Sequence, residues 1–159
     1  MESVSEEILL ITIQNFNTKK IITWSCRGPF NNTQENVEYR QYEDEKTMLH
    51  AFIHWWMENT PDVVTGWNCE FYDMPYIVRR MERVLGEKLS RRLSPWGLVS
   101  QKEDEFMGKK TISVDIGGIS ILDYMRLYKW SPGTPNQESY RLDYIAQQEL
   151  GQKKLDHSE

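Results

Sequence analysis

The chain alternates short apolar runs with longer stripes at helical spacing. Ile8 to Ile13 (ILLITI) is continuously apolar and rich in β-branched residues, which predicts a strand buried on both faces. Gln14 to Lys19 is turn chemistry, with two asparagines able to take left-handed conformations. Ile21 to Ser25 predicts a second strand, making a hairpin with the first. A polar loop over 28–36 precedes a third short strand, Val37 to Tyr42. A helix then opens at Glu43 or Asp44, with Met48, Leu49, Phe52, Ile53 and Trp56 as its core-facing stripe. Thr60-Pro61 ends it, because proline disfavours helix in the residue before it.

The stretch from Asp62 to Tyr76 organises the rest. Residues 62–67 read as a buried strand. Asp73 sits where an N-cap belongs, Pro75 falls in the first helical turn, and Ile77, Met81, Val84 and Leu85 recur at helical spacing until Gly86 stops the helix. This is strand, tight loop, helix, with Asn68 and Asp73 at the strand's carboxyl end, where open α/β sheets place ligands. Asp73 has two compatible readings, a cap for orphan amide donors or a carboxylate serving a site.

Downstream, Arg79, Arg80 and Arg83 on this helix join Lys88, Arg91 and Arg92 in one cationic cluster, readable as a solvated face or as phosphate contacts. Residues 99–107 are polar and acidic, with Gly108 as a turn; Thr111 to Asp115 reads as an exposed strand, broken by Gly117-Gly118. Ile119 to Leu122 leads into a helix from Asp123 to Trp130, for which Asp123 is the expected cap. Ser139 is the expected cap of a last helix, Tyr140 to Leu150, closed by Gly151.

Composition narrows the class. The 159 residues suffice for one domain with a core, and a net charge of −5 argues against a nucleic-acid binder driven by bulk positive charge. Cys26 and Cys69 form no zinc pattern and no disulfide framework, which suits a reducing compartment. No run reaches membrane-spanning length and the MESVSEE start lacks signal-peptide features, so the expectation is a cytoplasmic protein with no membrane partner.

The string TGWN-x-E-x-Y-D-x-P-Y-I (65–77) closely resembles the second exonuclease motif of family B DNA polymerases, in the form carried by T-even-type bacteriophages. ILLITIQNFNTKKIITWS, GISILDYMRLYKW and SYRLDYIAQQELGQKKLD resemble further segments of that family, in the family's order. The resemblance implies a ribonuclease H-like α/β fold, a mixed sheet with helices on its faces. It also implies 3′–5′ proofreading chemistry in which carboxylates hold two Mg²⁺ or Mn²⁺ ions about 4 Å apart. Asp73 is the family's metal-binding and catalytic aspartate of that motif; Asn68 and Tyr72 match its other positions and are candidates to touch the single-stranded 3′ end, with Arg79, Arg80 and Arg83 as candidate phosphate contacts.

The family's remaining metal carboxylates lie in an Asp-x-Glu pair on its first strand and in a Tyr-x-x-x-Asp motif, and neither pattern occurs in these residues. The expectation is therefore an internal piece of an exonuclease domain lacking its central first strand, with one of the four carboxylates, no tightly bound metal and no activity alone. A second reading stays open: a non-catalytic ribonuclease H-like module that binds single-stranded DNA or a replication partner. In the family the absent strand lies between those matching Ile8–Ile13 and Val63–Trp67. Their edges are expected either to pair directly or, by preference, to recruit a second copy of the chain.

Overall fold

The computed structural model describes residues 4–31, 34–106 and 109–152. Strand β1 (Leu10–Gln14) pairs antiparallel with β2 (Ile21–Ser25), Leu10 opposite Ser25 and Gln14 opposite Ile21, as the hairpin pattern predicts. The Asn15 side chain accepts the amides of Asn17 and Thr18, each at 3.0 Å, while Lys19, not an asparagine, takes the left-handed φ of 60°. The other edge of β2 pairs parallel with β3 (Val37–Gln41).

Helix α1 (Glu45–Glu58) begins at Asp44, whose carboxylate accepts the Thr47 amide at 2.7 Å. Its stripe of Met48, Leu49, Phe52, Ile53 and Trp56 is buried, each residue worth roughly 1.5–3 kcal/mol on removal from water. Phe52 meets the fully buried Trp24 of β2 edge-on, ring centroids 5.3 Å apart. Trp56 donates its indole N–H to the Leu93 carbonyl at 2.8 Å, whereas the Trp24 indole N–H finds no acceptor among the described residues, an orphan that costs roughly 1–3 kcal/mol.

Strand β4 (Val63–Gly66) leads to α2 (Asp73–Leu85), then α3 (Glu87–Ser90) and a 3₁₀ turn at Arg91–Leu93. Gly86 ends α2 as expected, with φ of 86°. A hairpin of β5 (Val99–Phe106) and β6 (Lys109–Ile116) follows, then β7 (Ser120–Asp123), α4 (Tyr124–Trp130) and α5 (Leu142–Leu150). Two of these strands depart from expectation. The polar segment at 99–106 is a full hairpin arm, and 120–123, read as a lead-in to a helix, pairs parallel with β4, Val63 opposite Ser120 and Gly66 opposite Asp123. Arg141 rather than Ser139 stands at the start of α5; Ser139 Oγ accepts the Arg141 amide instead. The charged tail expected after Gly151 lies, from residue 153, outside the described residues.

The architecture is mixed α/β, but among the described residues its strands form three separate sheets, β1-β2-β3, β4-β7 and β5-β6, instead of one. β1 and β4 are not paired with each other. Nor are they buried on both faces: Ile11 joins the core under α1 and α2, while Leu10 is 56% exposed on the opposite face of β1 and Val63 of β4 is 51% exposed. No helix among the described residues is long and apolar enough to cross a membrane.

A buried ion pair fixes the segment that precedes β1. Arg80 of α2 forks onto Glu45 of α1, Nε to Oε1 and Nη2 to Oε2, both at 2.7 Å. Glu45 also accepts the Ile8 amide at 2.7 Å, and Arg80 Nη1 donates to the carbonyls of Val4 and Ser5 at 3.0 and 3.2 Å. Arg83 adds a bond to Val4 O, and the Tyr76 hydroxyl donates to Glu6 O.

Candidate active site

The parallel pairing of β4 and β7 brings the carboxyl ends of both strands together, Gly66 beside Asp123. The chain leaves β4 through Trp67 and Asn68, and Asn68 adopts a φ of 62°, a left-handed conformation that asparagine tolerates better than most residues. This sharp turn returns the chain through Cys69 and Tyr72 to the start of α2.

Asp73 occupies the first residue of α2, not the cap position. Tyr72 stands at the cap and makes no side-chain capping bond. The capping reading of Asp73 is thus corrected: its carboxylate lies one residue too far into the helix and stays available to the site. Asp73 is exposed as a residue, but partial desolvation of its carboxyl raises its pKa above the ordinary carboxylate value, its own backbone hydrogen bond opposes this, and the Asp123 charge adds to the rise. The consequence for stability has a definite sign. A carboxyl whose folded pKa is raised contributes stability below its unfolded pKa and loses it as pH climbs through the folded value. Asp73→Asn should therefore raise the melting temperature relative to the native chain at about pH 7 and give no such gain at about pH 3, read from paired thermal melts.

The expected cap at Asp123 is present, with Oδ1 accepting the amides of Met125 at 2.9 Å and Arg126 at 3.4 Å. The sequence did not disclose its second set of bonds. Oδ1 also accepts the Asn68 amide and Oδ2 the Glu70 amide, each at 3.1 Å, across the strand ends. The available signal was the repeated grammar of the chain, a strand closing on an acid before a helix at 120–124 as at 63–73. Glu70 is further held by Arg126 at 2.6 Å. Cys69, between the two tethered amides, is buried, and its thiol is pushed up to about 11 by burial first and then by Asp123, Asp73 and Glu70. It is no nucleophile at neutral pH.

Tyr72 is 65% exposed beside Asp73 and stacks on Tyr76 at 6.4 Å. The arginines are not gathered at this end. At 1.5 Å per residue, Arg80 lies about 10 Å along α2 from Asp73. Arg80 is buried and spent on Glu45, so it presents nothing to a phosphate; Arg83 is bonded to Val4 O and Arg91 to Glu87. The cationic face expected from sequence thus loses Arg80 to the interior, while Arg83 and Arg91 stay exposed beside their partners.

A two-ion site needs several carboxylates converging from different elements. Asp73 supplies one, and the Asp123 oxygens already accept four amide protons. Among the described residues no three His, Cys, Asp or Glu side chains converge to hold a metal ion. The donors among the described residues do not fit a two-metal centre.

Comparison with known proteins decides the family. Residues 2–145 match the profile of the DNA polymerase family B exonuclease domain. The chain belongs to this family. It is 39% identical over 121 residues to the DNA-directed DNA polymerase of Escherichia phage RB69, covering 76% of this chain and 13% of that polymerase. Against the DNA-directed DNA polymerase of Enterobacteria phage T4 it is 36% identical over 149 residues, 91% of this chain and 16% of the relative. A more distant relative, the DNA polymerase catalytic subunit of Alcelaphine herpesvirus 1, is 26% identical over 129 residues, 78% of this chain and 12% of that subunit. The chain thus spans less than a fifth of the curated relatives it matches. The matched family B region includes the whole β4-loop-α2 unit and the β7-α4 junction.

Proposed function

We propose that this chain is part of the 3′–5′ proofreading exonuclease of a family B DNA polymerase, contributing the aspartate of its second acid motif. The observation that carries the reading is Asp73, free of capping duty, on a tight loop at the adjoining carboxyl ends of two parallel strands. Its sequence setting, TGWN-x-E-x-Y-D-x-P-Y, is that of the family motif. The antiparallel β1-β2 pair and the parallel β4-β7 pair are compatible with a ribonuclease H-like arrangement, in which the family's further strand would lie between β1 and β4. In this reading the single-stranded 3′ end of DNA lies along Asn68 and the exposed Tyr72, with Arg79 as the nearest uncommitted cation of the cluster. In the intact enzyme Mg²⁺ or Mn²⁺ would need carboxylates beyond those that the described residues bring to Asp73.

The chain alone is therefore inactive. Incubated with end-labelled single-stranded oligonucleotide and Mg²⁺ or Mn²⁺, it should leave the substrate intact. Shortening abolished by Asp73→Ala would show that the missing acids are supplied elsewhere in the chain. The fragment reading is checked independently by searching the coding sequence around this segment for an Asp-x-Glu strand and a Tyr-x-x-x-Asp motif. The non-catalytic DNA-binding alternative loses one phosphate contact in Arg80, which is buried against Glu45. A homodimer formed through the β1 and β4 edges also belongs to the proposal, supported by the exposure of Leu9, Leu10, Val63 and Leu122 beside them.

A further inference from the structure

We propose that Asp123 is the positioning residue of the candidate site, holding the turn after β4 in the conformation that delivers Asp73 to the strand ends. The proposal rests on the exonuclease reading for its functional meaning, but its geometry stands by itself. Asp123 is 3% exposed and sits at the end of β7, directly opposite Gly66 at the end of β4. Its two oxygens divide their work. Oδ1 takes the amides of Met125 and Arg126, fixing the start of α4, and also the amide of Asn68; Oδ2 takes the amide of Glu70 alone.

A helix cap needs only the first two of these bonds. The two bonds to the turn after β4 come from residues 55 and 53 positions away and do nothing for α4. They do satisfy two amides that the left-handed Asn68 turns inward, away from any strand partner. Without an acceptor at this point, that turn would hold two unpaired part-buried donors, and a more extended path from Gly66 to α2 would compete with it. The neighbouring bonds act in the same sense. Thr65 Oγ1 donates to Leu122 O at 2.7 Å, and Arg126 reaches Glu70, so the loop is clipped to the β7-α4 junction on both sides of Asn68.

The two roles can be separated by side-chain length. Asp123→Ser keeps a good cap for α4 but is too short to reach across to Asn68 and Glu70. Asp123→Asn removes the same charge yet retains an oxygen where Oδ1 accepts the Asn68 amide. The measurements are amide hydrogen exchange by NMR at Asn68, Glu70, Met125 and Arg126, and thiol labelling of buried Cys69 against Cys26 in the same molecule. In Asp123→Ser, exchange at Asn68 and Glu70 and labelling of Cys69 should accelerate by about tenfold or more, while Met125, Arg126 and Cys26 stay near native rates. In Asp123→Asn, protection at Asn68 should return. Unchanged protection at Asn68 and Glu70 in the serine variant would overturn the proposal. So would acceleration of Cys26 in step with Cys69, which would make Asp123 a support of the whole fold. Neither measurement depends on nuclease activity, so this proposal and the exonuclease reading can fail separately.

Discussion

Glu45→Ala should destabilise the chain by about 3–5 kcal/mol, because it strands the Arg80 guanidinium in a buried position without its carboxylate. That is a large share of the roughly 5–15 kcal/mol by which a domain is ordinarily stable. The side chains of Arg80 and Glu45 are only 8% and 6% exposed, so water cannot replace the lost partner. The same change removes the acceptor of the Ile8 amide. Urea unfolding followed by tryptophan fluorescence reads the loss directly. The double change Glu45→Leu with Arg80→Met tests the cause: removing both charges should recover much of the stability, since apolar replacement of a whole buried pair is often neutral or better. A double variant as unstable as Glu45→Ala would mean that the bonds to residues 4–8, not the stranded charge, dominate.

The second large effect concerns assembly. β1 and β4 each have one strand partner among the described residues, and apolar side chains flank the open edges. Such edges pair with other chains unless charge, proline or a covering element blocks them. At micromolar concentration, sedimentation should give a species near twice the 18.9 kDa chain, dissociating on dilution. Leu10→Lys and Val63→Lys together should shift it to monomer with the far-UV circular dichroism unchanged. A native chain that remains monomeric at the highest soluble concentration rules the dimer out.

How much of this was readable beforehand depends on the range of the interactions. The β1-β2 hairpin, β3 and α1 follow from local periodicity, and Asp44 caps α1 where its sequence position says it should. β7 escaped because four residues, SILD, carry too little pattern; it is a strand by virtue of β4, with Thr65 and Leu122 bonded across 57 positions. β5 escaped because its solvated arm is built of polar residues whose strand character comes from β6. Asp73 is singled out by its motif, yet the bonds that Asp123 makes to its loop come from a remote acid and no local spacing encodes them. Arg80 was misplaced for a related reason. An arginine among arginines reads as surface, and only Glu45 and the carbonyls of Val4 and Ser5 make its burial tolerable.

The clamp on Val4, Ser5 and Glu6 also sets an order of events. Val4, Ser5 and Glu6 are held by side chains 70 to 79 positions further along the chain. Closing a loop of that size is entropically costly, and no part of it can form until α2 exists. During synthesis residues 4–6 must therefore wait undocked while the hairpin, α1 and β4 are made. They are a late addition to the folded chain, and on gentle destabilisation they should be among the first parts to let go.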